Sequence, residues 1–222
     1  MTTPPKKMRS LEALYHEALW GKLTQNEVDY VVQRIKKTDP DTDSFDESCD
    51  LAGLLQTLGR SGANQYRELV EKFLHFRTNG MVCADALRTL FSYWDFTEED
   101  MEDFKLYIRG AEWDESDDAR SEALGLAGEY LREKYDRELL QLLLDVFEKL
   151  GKTDQIKETD DTDDYGRYSV QSCAYRAIAR AMGKDYNEID ERELKRAVEE
   201  QDLNILDLSV IQKAHQRVEE KL

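Results

Sequence analysis

Leu54-Leu55-Gln56-Thr57-Leu58, Ala86-Leu87-Arg88-Thr89-Leu90, Ala123-Leu124-Gly125-Leu126-Ala127 and Ala174-Tyr175-Arg176-Ala177-Ile178 can be laid over one another. Each sits in an apolar stripe of helical period. The steps between them are 32, 37 and 51 residues, the last lengthened by the polar connection 152–164. Between them run bulkier stripes: Tyr66, Leu69, Val70, Phe73 and Phe76, then Met101, Phe104, Tyr107 and Ile108, then Leu139, Leu140, Leu143, Leu144 and Phe147. The first kind of stripe is rich in small residues, which let neighbouring helices approach closely. Two helices per unit, at a period of ~35–45 residues, is the signature of an α-solenoid.

Outward from this centre the pattern stays helical. Leu11, Leu14, Tyr15, Ala18 and Leu19 form a face, and so do Val28, Val31, Val32 and Ile35. Thr24-Gln25-Asn26-Glu27 and Ser44-Phe45-Asp46-Glu47 read as capping boxes. Val82, Ala86, Leu87, Leu90 and Trp94 share one face, and Gly59 to Gly62 reads as a helix stop. Two more helices are expected over 190–200 and 205–220. No segment alternates like a strand. Eleven glycines and three prolines are too few for a loop-rich β sandwich. The expected fold class is all-α, a short right-handed α–α superhelix of about 10–11 helices.

Asp118-Ala119-Arg120 with Ala123-Leu124 and Gly128, and Val82 with Ala86-Leu87, make residues 41–185 resemble HEAT repeats. Armadillo-like arrays give similar patterns. The resemblance implies helical caps at 1–40 and 186–222, and a curved surface for binding other macromolecules. It implies no chemistry by itself.

The charge is uneven. The chain has 222 residues, 48 acids, 31 bases and a net charge of -17. Four windows, 39–50, 95–103, 112–118 and 158–164, contain no Lys or Arg. These 35 residues hold 22 of the acids, and the other 187 residues carry a net of +5. Three of the windows precede a first helix, so stacking would align them as an acidic edge. Aromatics interleave with them. Trp94, Trp113, Asp114, Glu115, Asp117, Asp118, Asp160, Asp161, Asp163, Asp164 and Tyr165 are the expected partner-binding residues. The competing reading is that acids at helix starts cap exposed N–H groups and suit the helix dipole. That accounts for about two acids per helix start, not five or six.

Chemical sites find little support. His16, His75 and His215 are isolated, without zinc spacing. Asp39-x-Asp41-x-Asp43 is similar to the start of an EF-hand loop, but Pro40 and Ser44 break the pattern. No phosphate loop or nucleophile constellation is present. The expectation is therefore no catalytic residue, no cofactor and no metal. Nucleic acid needs a basic face, and the second helices are not basic. No apolar run reaches the ~20 residues of a membrane span. Cys49, Cys83 and Cys173 are widely spaced within helical patterns, as in reduced thiols, and the N-terminus lacks an apolar leader. A cytoplasmic protein, monomeric alone, is expected.

The function these features favour is a non-enzymatic protein-binding module. Small acidic proteins of HEAT-like build resemble immunity proteins, which implies neutralisation of a basic toxin domain, such as a nuclease, through the acidic edge. The alternatives are a general HEAT-type scaffold or assembly factor, and an enzyme or lyase on a helical-repeat fold.

Overall fold

Glu27 organises the first two helices. Its carboxylate returns to the Thr24 N–H at 3.0 Å and hydroxyl at 2.8 Å, closing the expected capping box. Arg9 grips the same carboxylate with Nε at 2.7 Å and Nη2 at 2.8 Å. Helix α1 (Leu11–Ala18) therefore starts beside α2 (Gln25–Lys37). The computed structural model describes residues 9–38, 45–74, 79–94, 96, 98–114, 116–150, 170–200 and 202–220. The expected cap at Ser44 and the EF-hand-like Asp39–Asp43 lie outside them.

The remaining helices are α3 (Phe45–Arg60), α4 (Arg67–Glu71), α5 (Gly80–Arg88), α6 (Glu98–Arg109), α7 (Asp118–Glu133), α8 (Arg137–Leu150), α9 (Val170–Ala181), α10 (Glu191–Glu199) and α11 (Ser209–Glu219). Among the described residues there is no strand, and the fold is all-α. The chain divides into two compact units, Met1–Asp100 with Glu112–Ala119, and Met101–Ala111 with Arg120–Leu222. The division falls inside the expected repeat region 41–185.

In the first unit α3 is central. It packs on α1, α2, α5 and the turn that follows α5. Leu51, Leu54, Leu55 and Leu58 of α3 are buried with Leu14, Val31, Ile35, Val82, Ala86 and Leu90. Each of the Leu, Ile and Val side chains contributes roughly 1.5–3 kcal/mol when fully buried. In the second unit α8 packs on α9 and α11, and α9 also meets α10 and α11. Leu139, Leu143, Leu144, Ala174, Ala177, Ile178 and Ala214 form that core.

Two sequence expectations change in detail. The helix expected across 66–76 is a 3₁₀ turn at Asn64–Tyr66 followed by the five-residue α4. Phe73 and Leu74 then donate three residues back, to Val70 and Glu71, which tightens the winding where all three apolar side chains are buried. The face through Val82, Ala86, Leu90 and Trp94 is not one α-helix, because α5 passes into a π-helical turn at Thr89–Tyr93. Steps of four residues overrun a 3.6-residue helix by about 40° each. The wider turn absorbs that drift and keeps Trp94 inside.

Helix α3 ends at Arg60, within the expected Gly59–Gly62 stop, and Gly62 takes φ 70°. Gly59 itself accepts the π-helical turn. A β-carbon there would stand 2.6 Å from Tyr93 Cδ2 and 2.9 Å from Thr89 Cγ2. The Thr89 hydroxyl donates to the Leu55 carbonyl at 3.1 Å. Gly128 has the same role in the second unit, where a β-carbon would meet the Ala177 Cα and carbonyl oxygen at 2.7 Å.

Two substitutions in α7 should therefore have opposite signs. Gly128→Ala forces the Ala177 backbone away and should cost about 1–3 kcal/mol. Gly125→Ala meets nothing within 4 Å. It should stabilise by about 0.5–1 kcal/mol through helix propensity. Urea unfolding of the two variants measures both.

Acid stability has a local origin as well. Arg9 and the Thr24 cap hold Glu27 at about 2, down from 4.5. Lys184 at 2.6 Å and the Ser209 hydroxyl at 2.6 Å hold Asp207 at about 2, down from 3.8. Both folded-state values are depressed. Their stabilisation is full above about pH 4.5 and is lost as pH falls through about 2. Glu27→Gln with Asp207→Asn should lower stability at pH 6 and flatten its decline between pH 4 and 2, as read by urea unfolding at each pH.

Candidate functional site

The partner-binding residues expected from sequence separate into buried, half-buried and exposed ones. Trp94 is 7% exposed, and its indole N–H is buried without an acceptor among the described residues. Asp114 is 5% exposed. Its Oδ1 accepts the Asp118 N–H at 3.1 Å, capping α7, and lies against Gly80 at the start of α5. These two are corrected from surface anchors to interior residues. Trp94 is drawn in by the π turn, and Asp114 by the helix start it caps.

Trp113 is half-buried. Asp117 is half-buried in a left-handed turn at φ 54°, which Asp tolerates better than most residues. Asp118 and Glu112 are exposed. Glu115, Asp160, Asp161, Asp163, Asp164 and Tyr165 lie outside the described residues.

Windows without bases in sequence acquire them in space. Arg34 reaches Asp50 at 3.5 Å, and Arg67 pairs with Asp100. Lys105, itself buried against Glu138 at 2.7 Å, also approaches Glu102 at 3.4 Å. Glu138 and Lys105 shift each other in the expected senses, the carboxyl down and the ammonium up, through this hydrogen bond. Part of the acidic surplus is therefore taken up by the fold.

Among the described residues the exposed aromatic is one that sequence periodicity did not single out. Trp20 is 73% exposed and Leu19 48%. Helix α1 ends at Ala18, and a turn with Gly21 at φ 61° carries both side chains off the buried face. Leu19 was expected on that face. The available signal is Trp20-Gly21, a helix-ending glycine directly after a large apolar residue.

A second feature of the first unit combines polar and apolar groups. Leu11, Glu12 and Tyr15 of α1 face Cys49, Asp50, Gly53, Leu54 and Thr57 of α3 across a groove of about 200 Å³. Behind it lies a hydrogen-bonded chain. The Tyr15 hydroxyl donates to Gln56 Oε1 at 3.2 Å, and Gln56 Nε2 donates to Asp85 at 2.5 Å. Arg88 donates to the same Asp85 oxygen at 2.8 Å. The Arg60 guanidinium lies 4.4 Å over the Tyr15 ring and donates to the Tyr93 hydroxyl at 2.8 Å. Burial lowers the Arg60 pKa and its Tyr93 and Tyr15 contacts raise it; the net direction is up. Asp85 is buried.

Among the described residues no three His, Cys, Asp or Glu side chains gather as a metal site, and no helix is long and apolar enough to cross a membrane. Comparison with protein-family models, curated proteins and solved structures returns no match.

The two tryptophans should behave oppositely on truncation. Trp94→Ala should cost about 3–5 kcal/mol, because it empties a buried site. Trp20→Ala should change stability by less than about 0.5 kcal/mol. Thermal melts of the two variants decide it.

Proposed function

We propose that this chain is a non-enzymatic protein-binding module for a basic partner. In its sharpest form it is an immunity protein that covers a basic toxin domain, working in the cytoplasm. The observation that carries this reading is the charge distribution: the whole negative balance lies in four short windows, and the remainder is slightly basic. A field of that kind steers a cationic protein and raises its association rate. Glu112 and Asp118 are exposed at the described part of one window.

The HEAT-like superhelix belongs to the same proposal. Support comes from helices that the repeat alignment pairs: α3 packs on α5, and α7 meets α9 through Gly128 and Ala177. Close approach of successive first helices is what stacked repeats require.

One observation favours a second reading, a general scaffold with an apolar partner. Leu19 and Trp20 are exposed together, and Trp is enriched where partners bind most strongly.

Kinetics separate the two. For a basic partner recovered from the source cells, the electrostatic reading expects the association rate to fall at least tenfold between 50 and 500 mM salt (roughly threefold in Debye length). Glu112→Lys with Asp118→Lys should slow association similarly at low salt. A rate unmoved by salt and by these substitutions, but lost in Trp20→Ala, supports the scaffold.

A further inference from the structure

We propose that the α1–α3 groove receives one large apolar side chain from a basic segment of the partner protein, with Glu12 and Asp50 engaging the Lys or Arg residues on either side of it. This rests on the protein-binding reading above and names the partner segment.

The size and lining of the groove choose the occupant. About 200 Å³ is smaller than the roughly 300–1,000 Å³ of typical small-ligand pockets, and suits a single side chain. Leu11, Tyr15 and Leu54 supply apolar wall. Gly53 leaves space, since a β-carbon there meets nothing within 4 Å. Thr57 is the polar group at depth, and its hydroxyl donates to the Gly53 carbonyl at 2.7 Å. That commitment leaves an occupant without polar atoms as the best fit.

The rim chooses the flanks. Glu12 stands on one wall and Asp50 on the other, both exposed. Asp50 is paired with Arg34 only at 3.5 Å, with both side chains well exposed, so exchange for a partner cation costs little. Among the described residues the lining contains no base, so an acidic segment is repelled. A segment of the form basic–apolar–basic matches both floor and rim.

The wall is also set before binding. Tyr15 is held by Gln56 through its hydroxyl and by Arg60 over its ring, and Gln56 is anchored in turn on the buried Asp85. An aromatic already fixed in place loses little freedom on complex formation. Gln56 and Arg60 thereby act as positioning residues.

Cys49 supplies the readout, because it lines the groove and is exposed, whereas Cys83 is buried. The full chain is alkylated with and without a capped Lys-Lys-Leu-Lys-Lys peptide at millimolar concentration. Modification of the Cys49 peptide is followed by mass spectrometry. We expect at least threefold slower alkylation with this peptide. Lys-Lys-Ser-Lys-Lys and Glu-Glu-Leu-Glu-Glu should give no protection. Gly53→Leu, which fills the groove, and Glu12→Lys with Asp50→Lys should each abolish the protection.

Equal protection by the Ser peptide, or protection that survives Gly53→Leu, overturns the groove assignment. So does protection that rises with protein concentration alone, which marks a second copy of this chain as the occupant. If the Leu peptide gives none while partner association stays salt-dependent, the groove assignment fails and the basic-partner reading stands. If association is also insensitive to salt, both fail.

Discussion

Close backbone contact between helices is the constraint on which both units depend. A helix pair held mainly by apolar side chains can approach only as far as its bulkiest contact allows. At Gly59 and Gly128 the missing β-carbon removes that limit. Gly59 lets the Thr89–Tyr93 turn lie directly on α3, and Gly128 lets α7 rest on the backbone of α9. With the turn in place, Thr89 reaches the Leu55 carbonyl, Trp94 turns inward and Tyr93 meets Arg60. The polar chain behind the α1–α3 groove is therefore a consequence of that contact as much as of its own hydrogen bonds.

The acids divide between structure and surface. Asp114 caps α7, Glu27 closes the α2 cap, and Asp50, Asp100 and Glu102 find bases from elsewhere in the fold or chain. Such pairs at the surface are individually weak. Their effect is mainly to neutralise local repulsion that would otherwise oppose folding of so acidic a chain. Glu112 and Asp118 stand exposed in the same acidic stretch that holds the buried Asp114.

Tyr15 joins the polar network to the groove surface. Its ring forms groove wall on α1 while its hydroxyl belongs to the Gln56–Asp85–Arg88 chain. A buried carboxylate such as Asp85 is tolerated because both Gln56 and Arg88 donate to it. The polar network thus fixes an apolar surface feature.

The helices themselves were legible in the sequence, because a 3.6-residue apolar period and a capping box are local properties of the chain. Thr24-x-x-Glu27, the α8 stripe and the small residues of α7 and α9 all signal what they form. The π turn left a trace in the four-residue steps from Val82 to Trp94, visible once the drift is considered. Side-chain exposure was not legible. Asp114 looks like a surface residue in an acidic stretch, Trp94 reads both as part of an apolar face and as a surface anchor, and Leu19 looks like a core position. Whether such a residue is buried depends on which distant backbone covers it. The groove likewise joins residues about forty positions apart, Leu11–Tyr15 and Cys49–Thr57. By itself the sequence determined the helical class and the uneven charge, since both follow from neighbours along the chain. Only the tertiary structure decided which charges are spent internally and which aromatic faces out, because packing and ion pairing act between segments that local pattern cannot relate.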